Sequence, residues 1–367
     1  MSTTGRSGGA TTSRLIAPAR WAFVLIAAAA LWSTLRHAEL GRAASLAAGL
    51  GAHIALVPLP FLLAMSLQAA GYARILAVLD GGRSTRPGLM ARAAHLARLT
   101  SVLVSAEAVL MSLPAGAAVA ESLNPYLLAR RCGVPITQGL AGVAAKKALI
   151  VLANALYMFI AVALGARHLE AASRGLLGVG GLAWVVAAAG IGVLVAGLGM
   201  SRVIFSGSMA ARSHGLLRRL PSARLRAFLD ERKAGFVETD AHFAELLGRG
   251  LPALAGALGL MLGCWLAEGA ETFLLMRLLD VRITFSEVLA FEVVVVLLRS
   301  LAFMVPAGLG VQDAGYVAFL AAFGVADAAT VGVAFLLLKR SKELLYIAVG
   351  YLLFLVLGDR PKDEAGA

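Results

Sequence analysis

The chain has 367 residues, 60% of them hydrophobic and 15% charged, with a mean hydropathy of +0.84 and a net charge of +12. A soluble domain carries about a quarter of its residues as charges, so these figures exclude a soluble globular enzyme and indicate a polytopic membrane protein. The excess of Lys and Arg then reads as cytoplasmic loops drawn to anionic lipid, and nucleic acid is not an expected partner.

Residues 1–20 are rich in Ser, Thr and Gly with scattered Arg, and read as a disordered cytoplasmic tail. The apolar run 21–35 is predicted to be a first, short transmembrane helix rather than a cleaved leader, since no small-x-small site precedes a soluble domain. A second helix is predicted over 46–67, bent at Pro58 and Pro60. The Arg-rich stretch 68–98 is expected to lie at the cytoplasmic interface, and 99–113 to re-enter the membrane up to Pro114. Residues 117–131 are too short to cross and end on Arg130-Arg131. Long apolar runs follow at 137–165 and 176–201, then a polar, amphipathic linker at 202–249. Apolar helices return at 251–276, 286–304 and 328–357, and a charged tail closes the chain at 358–367.

Leu113-Pro114-Ala115-Gly116 is echoed 192 residues later by Val305-Pro306-Ala307-Gly308, which continues to Leu309-Gly310. Each copy follows an apolar run and is itself followed by an acid (Glu121, Asp313), a Gly-Val pair and a basic pair (Lys146-Lys147, Lys339-Arg340). Placing both basic segments, 68–98 and 202–249, on the cytoplasmic side fixes the parity. Segment 99–131 must then enter and leave on one face, and 286–323 on the other. The predicted fold is all-α and polytopic. Two inverted-topology repeats, 21–165 and 176–357, each run helix, helix, re-entrant hairpin, helix, giving six full crossings plus two hairpins with both termini cytoplasmic. The tips, Pro114 with Gly116 and Pro306 with Gly308 and Gly310, are expected to meet at mid-membrane. The other reading of the two blocks is a kink within an ordinary helix.

Charges inside such helices are costly and mark function. Glu107 and Arg299 lie seven residues before Pro114 and Pro306, so an ion pair or a shared polar cavity is expected of them. Lys339, Arg340, Lys342 and Glu343 sit near the middle of the last helix, with Lys339 and Glu343 one turn apart on a shared face. They are expected to line a hydrated cavity and to offer cations to an anionic group. Lys146 and Lys147 fill the related place in the first repeat. Glu121 and Asp313 either cap the second hairpin arm or orient these cations. Glu268 and Glu271, at i and i+3, suit acid–base work or simple packing equally well. Cys132 and Cys264 form no disulfide framework, and the histidines have no metal-ligand spacing. No cofactor, metal or catalytic constellation is expected.

Pro306-Ala-Gly-Leu-Gly-Val-Gln-Asp313, Phe323-Gly-Val, Arg340 and Gly350 resemble the "PGGLGxxE…LGV…R…G" block of the lysylphosphatidylglycerol synthase transmembrane, or flippase-like, family. Leu113-Pro-Ala-Gly, Glu121, Tyr126-Leu-Leu-Ala-Arg130-Arg131 and Gly133-Val resemble its first block, "PGGxGGDxxRxYLL". Ala115, Ala117, Ala118 and Ala307 depart from glycines of the pattern, Glu121 from an Asp, and Asn124-Pro125 falls where a basic residue is expected. The resemblance implies a bacterial inner-membrane protein that moves a lipid between leaflets, here like the stand-alone members that lack a synthase domain. The expected partners are membrane lipids with an anionic head group and, as one alternative, a lipid-modifying enzyme for which the chain is a scaffold. An ion-coupled carrier of small solutes is the other alternative.

Overall fold

A computed structural model describes residues 38–81, 88–113, 116–219, 223–301 and 310–356. Every regular element among them is helical. The predicted tails, the first helix at 21–35 and the tip residues Pro114, Pro306 and Gly308 lie outside the described residues.

Helix α1 (Leu40–Ala48) leads through a 3-10 turn (Gly51–Leu56) into α2 (Leu59–Leu79). At the expected bend the chain changes from 3-10 to α geometry through Val57 and Pro58, both of which keep right-handed helical dihedrals. Pro60 sits in the first turn of α2, where its missing N–H removes nothing the helix needs. Helix α3 (Leu89–Ser112) begins ten residues before the predicted membrane entry at 99. Its first turns, with Arg92, His95 and Arg98, are solvent-exposed, and continuous burial starts only at Leu99. Helix α4 (Gly116–Cys132) returns alongside α3, and α5 (Ile136–Leu177) follows. At 42 residues α5 is about 63 Å long, twice a bilayer's hydrocarbon core. Next come α6 (Leu182–Ile204) and three short helices where a linker is predicted: α7 (Met209–Leu217), α8 (Ala223–Glu231) and α9 (Lys233–Arg249). The chain ends with α10 (Leu251–Leu278), α11 (Phe285–Leu301), α12 (Val311–Ala322) and α13 (Ala328–Val356).

Among the described residues, five segments are long and apolar enough to cross a membrane: Gly51–Leu79, Leu89–Ser112, Ile136–Leu177, Leu182–Ile204 and Leu251–Leu278. Between lipid-embedded helices there is little hydrophobic driving force, so association depends on close packing of small residues. The buried face of α5 follows that rule, with Ala141, Gly142, Ala145, Ala148, Ala153, Ala161 and Gly165. Gly350 does the same on α13, where an added Cβ would lie 2.5 Å from Ala108 Cβ and 2.6 Å from the Val104 carbonyl of α3.

Two cores result. One joins α2, α3, α4 and the first half of α5 around Tyr72, Leu99 and Leu128. The other joins the second half of α5 to α11, α12 and α13 around Tyr157, Phe291, Tyr316 and Phe335. Helix α10 contributes to both. Helix α2 lies along α10, α3 packs on α13, and α11 packs on α5.

Candidate functional site

The charges of α13 are distributed by helical geometry. Residues 339 and 342 are three apart and share one face, while 340 and 343 share the next. Lys342 Nζ donates to both carboxylate oxygens of Glu271 at 2.7 Å, and both residues are buried. Its ammonium also lies 4.7 Å from the Phe61 ring centroid. Lys339 Nζ donates to Tyr316 Oη at 2.6 Å, and that hydroxyl donates onward to Glu292 Oε1 at 3.0 Å. Gln312 Nε2 donates to the same hydroxyl at 3.3 Å, and Thr272 Oγ1 donates to Glu292. Such a chain polarises each bond in one direction, from ammonium to carboxylate.

Arg340 forks between two acids, with Nη2 2.6 Å from Asp313 Oδ1 and Nη1 2.6 Å from Glu343 Oε2. Asp313 serves two partners. Its other oxygen accepts the Gly310 N–H at 3.0 Å and so closes the start of α12. Gly310 holds φ +81°, a conformation that glycine adopts without strain. Both roles weighed for Asp313, capping and orienting a cation, are therefore filled at once. The predicted facing of Lys339 with Glu343 is replaced by Arg340 with Glu343. The reason is that Lys339 reaches the hydroxyl of Tyr316 instead.

These groups surround a cavity of about 340 Å³ whose charged lining includes Glu107, Glu268, Glu271, Glu292, Arg299, Lys339, Lys342 and Glu343. Glu107 and Arg299 share this cavity and form no ion pair with one another among the described residues. Of the two outcomes expected for them, the shared polar cavity is the one observed. Glu268 and Glu271 part company: Glu271 is locked to Lys342, and Glu268 faces the cavity with no ion pair among the described residues.

The related place in the first half is built differently. Helix α4 begins at Gly116, so Glu121 falls in its second turn and caps nothing. Its Oε1 accepts from Lys147 at 3.0 Å, and both side chains are partly exposed. Lys146 is buried, with Nζ 5.5 Å from the Tyr72 ring centroid. Arg131 is buried as well; it donates to Ser105 Oγ at 3.1 Å and to the Leu353 carbonyl at 2.9 Å, satisfying an orphan carbonyl in the last turn of α13.

Sequence reasoning missed Glu292, Tyr316 and Gln312. Glu292 had a legible signal, a lone carboxylate within Leu-Ala-Phe-Glu-Val-Val-Val-Val. Tyr316 had none, because an aromatic on an apolar face reads as core.

The model of the family described as Lysylphosphatidylglycerol synthase TM region matches residues 20–350. No curated protein matches the chain, and no solved structure does.

Proposed function

From the premise that the chain belongs to the Lysylphosphatidylglycerol synthase TM region family, a membrane domain associated with lipid-related functions, we propose that it translocates an anionic phospho- or isoprenoid-type lipid between leaflets of a bacterial inner membrane. The reading is of a non-enzymatic carrier with both termini cytoplasmic. The observation that carries it is the charged cavity of about 340 Å³, lined in part by α2, α3 and α10, which are long and apolar enough to span. A charge at such depth is tolerated where it lines a hydrated path. The head group would take over carboxylate partners of Lys339, Arg340 and Lys342 one exchange at a time, with tails left in lipid between helices.

Two repeats of opposite topology are part of this proposal. They are supported by an exchange of partners: α3 packs on α13 as α11 packs on α5, and α4 on α5 as α12 on α13. Hairpin arms are supported by the short α4 and α12, of 17 and 12 residues, which at about 26 and 18 Å fall short of a bilayer's hydrocarbon core.

The test uses purified protein in vesicles with a fluorescently labelled anionic lipid in one leaflet. Wild type moves the label across, and Lys339→Met with Arg340→Met abolishes the movement. Unchanged movement in the double variant rejects this site. A stable co-purifying enzyme together with no movement in wild type replaces the translocator by a scaffold.

A further inference from the structure

Helix α6 is the least covered by protein of the five spanning segments. Its packed face carries Val186, Gly190, Gly197 and Ile204, and an added Cβ at Gly197 would lie 2.8 Å from Leu152 Cδ2 of α5. The opposite face carries Trp184, Ile191, Val195 and Leu198, each more than half exposed, and then Arg202, exposed as well. Steps of seven, four, three and four return to one side of a helix with 3.6 residues per turn, so these five side chains form a single track. From Trp184 to Arg202 the track is about 27 Å long, close to the thickness of a bilayer's hydrocarbon core. With Trp184 at one membrane boundary, where indole rings gather, Arg202 stands at the other.

At that boundary the chain turns into α7 and leaves a notch of about 630 Å³, lined by Ser201, Arg202, Val203, Phe205, Ser206 and Arg212. The guanidinium groups of Arg202 and Arg212 make no ion pair or hydrogen bond among the described residues. Other charges of this region are spent inside the protein. Asp240 accepts the Ala210 and Ala211 N–H groups at 2.8 Å each and so closes the start of α7. Arg218 pairs with Asp230 at 3.1 Å. Ser206 Oγ donates to the Val203 carbonyl at 2.8 Å. Ser201 is the exception: its hydroxyl has no partner among the described residues, and a hydroxyl can donate to an anion. Segment 202–249 as a whole holds nine Lys and Arg against five acids, so the field at the notch is positive.

Two free guanidinium groups suit the oxygens of a phosphate, which they meet as planar forks. The apolar track beneath them suits a hydrocarbon chain. A phospholipid joins the two at this spacing. We propose that the notch between α6 and α7 binds an anionic phospholipid, its phosphodiester on Arg202 and Arg212 and one acyl chain along Leu198, Val195 and Ile191. A lipid held by the track alone would exchange with any other, and the arginines make the head-group charge decisive. The notch shares no residue with the charged cavity, so this site does not rest on the translocator reading. Its effect is positional, tying the corner from which α7, α8 and α9 begin to the membrane surface.

Native mass spectrometry of the full chain in detergent tests it with dioleoyl phosphatidylglycerol, dioleoyl phosphatidylcholine and inorganic phosphate as probes. Wild type is expected to retain the anionic lipid at least about tenfold better than the zwitterionic one, which has the same tails. Arg202→Gln with Arg212→Gln should bring the two lipids to the same level. Arg92→Gln with Arg98→Gln removes equal charge from the exposed first turns of α3, and should leave the preference within about twofold of wild type. Circular dichroism and gel filtration check folding, and should the double variant not fold, each single arginine variant, expected to lose the preference at least about threefold, decides in its place. Equal retention of both lipids by wild type, an unchanged preference in the notch variants, or an equal loss in the α3 variants overturns the site, since each describes lipid held without regard to the notch. Displacement of the anionic lipid by inorganic phosphate at equal concentration assigns the notch to free phosphate and overturns the lipid.

Discussion

The regions behind α4 and α12 carry the same kinds of charge and finish them in opposite ways. Behind α12, every cation of the 339–342 group ends on an acid: Lys339 on Glu292 through Tyr316, Arg340 on Asp313 and Glu343, Lys342 on Glu271. Behind α4, Lys147 has Glu121, while Lys146 has an aromatic ring and no ion pair among the described residues. One region is electrostatically closed and rigid at the cost of desolvation. The other leaves the buried Glu121 Oε2 and Asn124 Oδ1 without partners among the described residues, which is uncommon in a native interior.

The largest effect on this contrast should come from Lys342→Met. It strands the buried Glu271 carboxylate, a lesion of about 3–5 kcal/mol, measured as a lower unfolding midpoint in detergent. Adding Glu271→Gln should recover much of that loss, and no recovery would mean that the pair is not the reason. Next is Tyr316→Phe, which removes the hydroxyl between Lys339 and Glu292 and leaves those two at 3.7 Å. Its expected cost is about 1–3 kcal/mol in the same assay. The corresponding change in the open half should have the opposite sign. Asn124→Leu replaces a buried amide whose oxygen has no partner among the described residues by an apolar group of similar size, and is expected to stabilise the protein by about 1 kcal/mol; destabilisation would show that the amide is satisfied within the protein. The smallest effect is expected from Lys147→Met, since its pair with Glu121 is partly exposed and such pairs contribute about 1 kcal/mol or less. A loss as large as that of Lys342→Met would erase the distinction between a closed and an open half.

How much of this was legible in the sequence follows from the kind of signal each residue sends. Apolar run length marked out the long helices, and the Pro-Ala-Gly repeat drew attention to Asp313, Arg340 and Lys339, of which the first two pair with one another and the third bonds to Tyr316. Helix ends were less legible. Helix α3 starts at Leu89 because Arg92, His95 and Arg98 are good enough helix formers once exposed, and a hydropathy window discounts them. The 202–249 segment is helical for the same reason, with its apolar residues packed on neighbours. Pairings were the least legible. Lys339 and Glu343 share a face, yet the contact went to Tyr316, because which of two neighbours a lysine reaches is decided by another helix. The unpartnered oxygen of Asn124 was hidden entirely, since an unsatisfied group exists only once its surroundings are packed.

The length of α5 has a mechanical consequence. Its first half, including Ala141, Ala145 and Ala153, belongs to one core, and its second half, including Tyr157, Ala161 and Leu169, to the other. A continuous helix of 42 residues acts as a shared axle between them. Small residues bring its neighbours close, so that an added Cβ at Gly165 would lie 2.9 Å from Ala290 Cβ of α11 and one at Gly139 3.3 Å from Pro125 Cα of α4. A tilt or rotation of this one rod in either core therefore moves the elements packed on it in both.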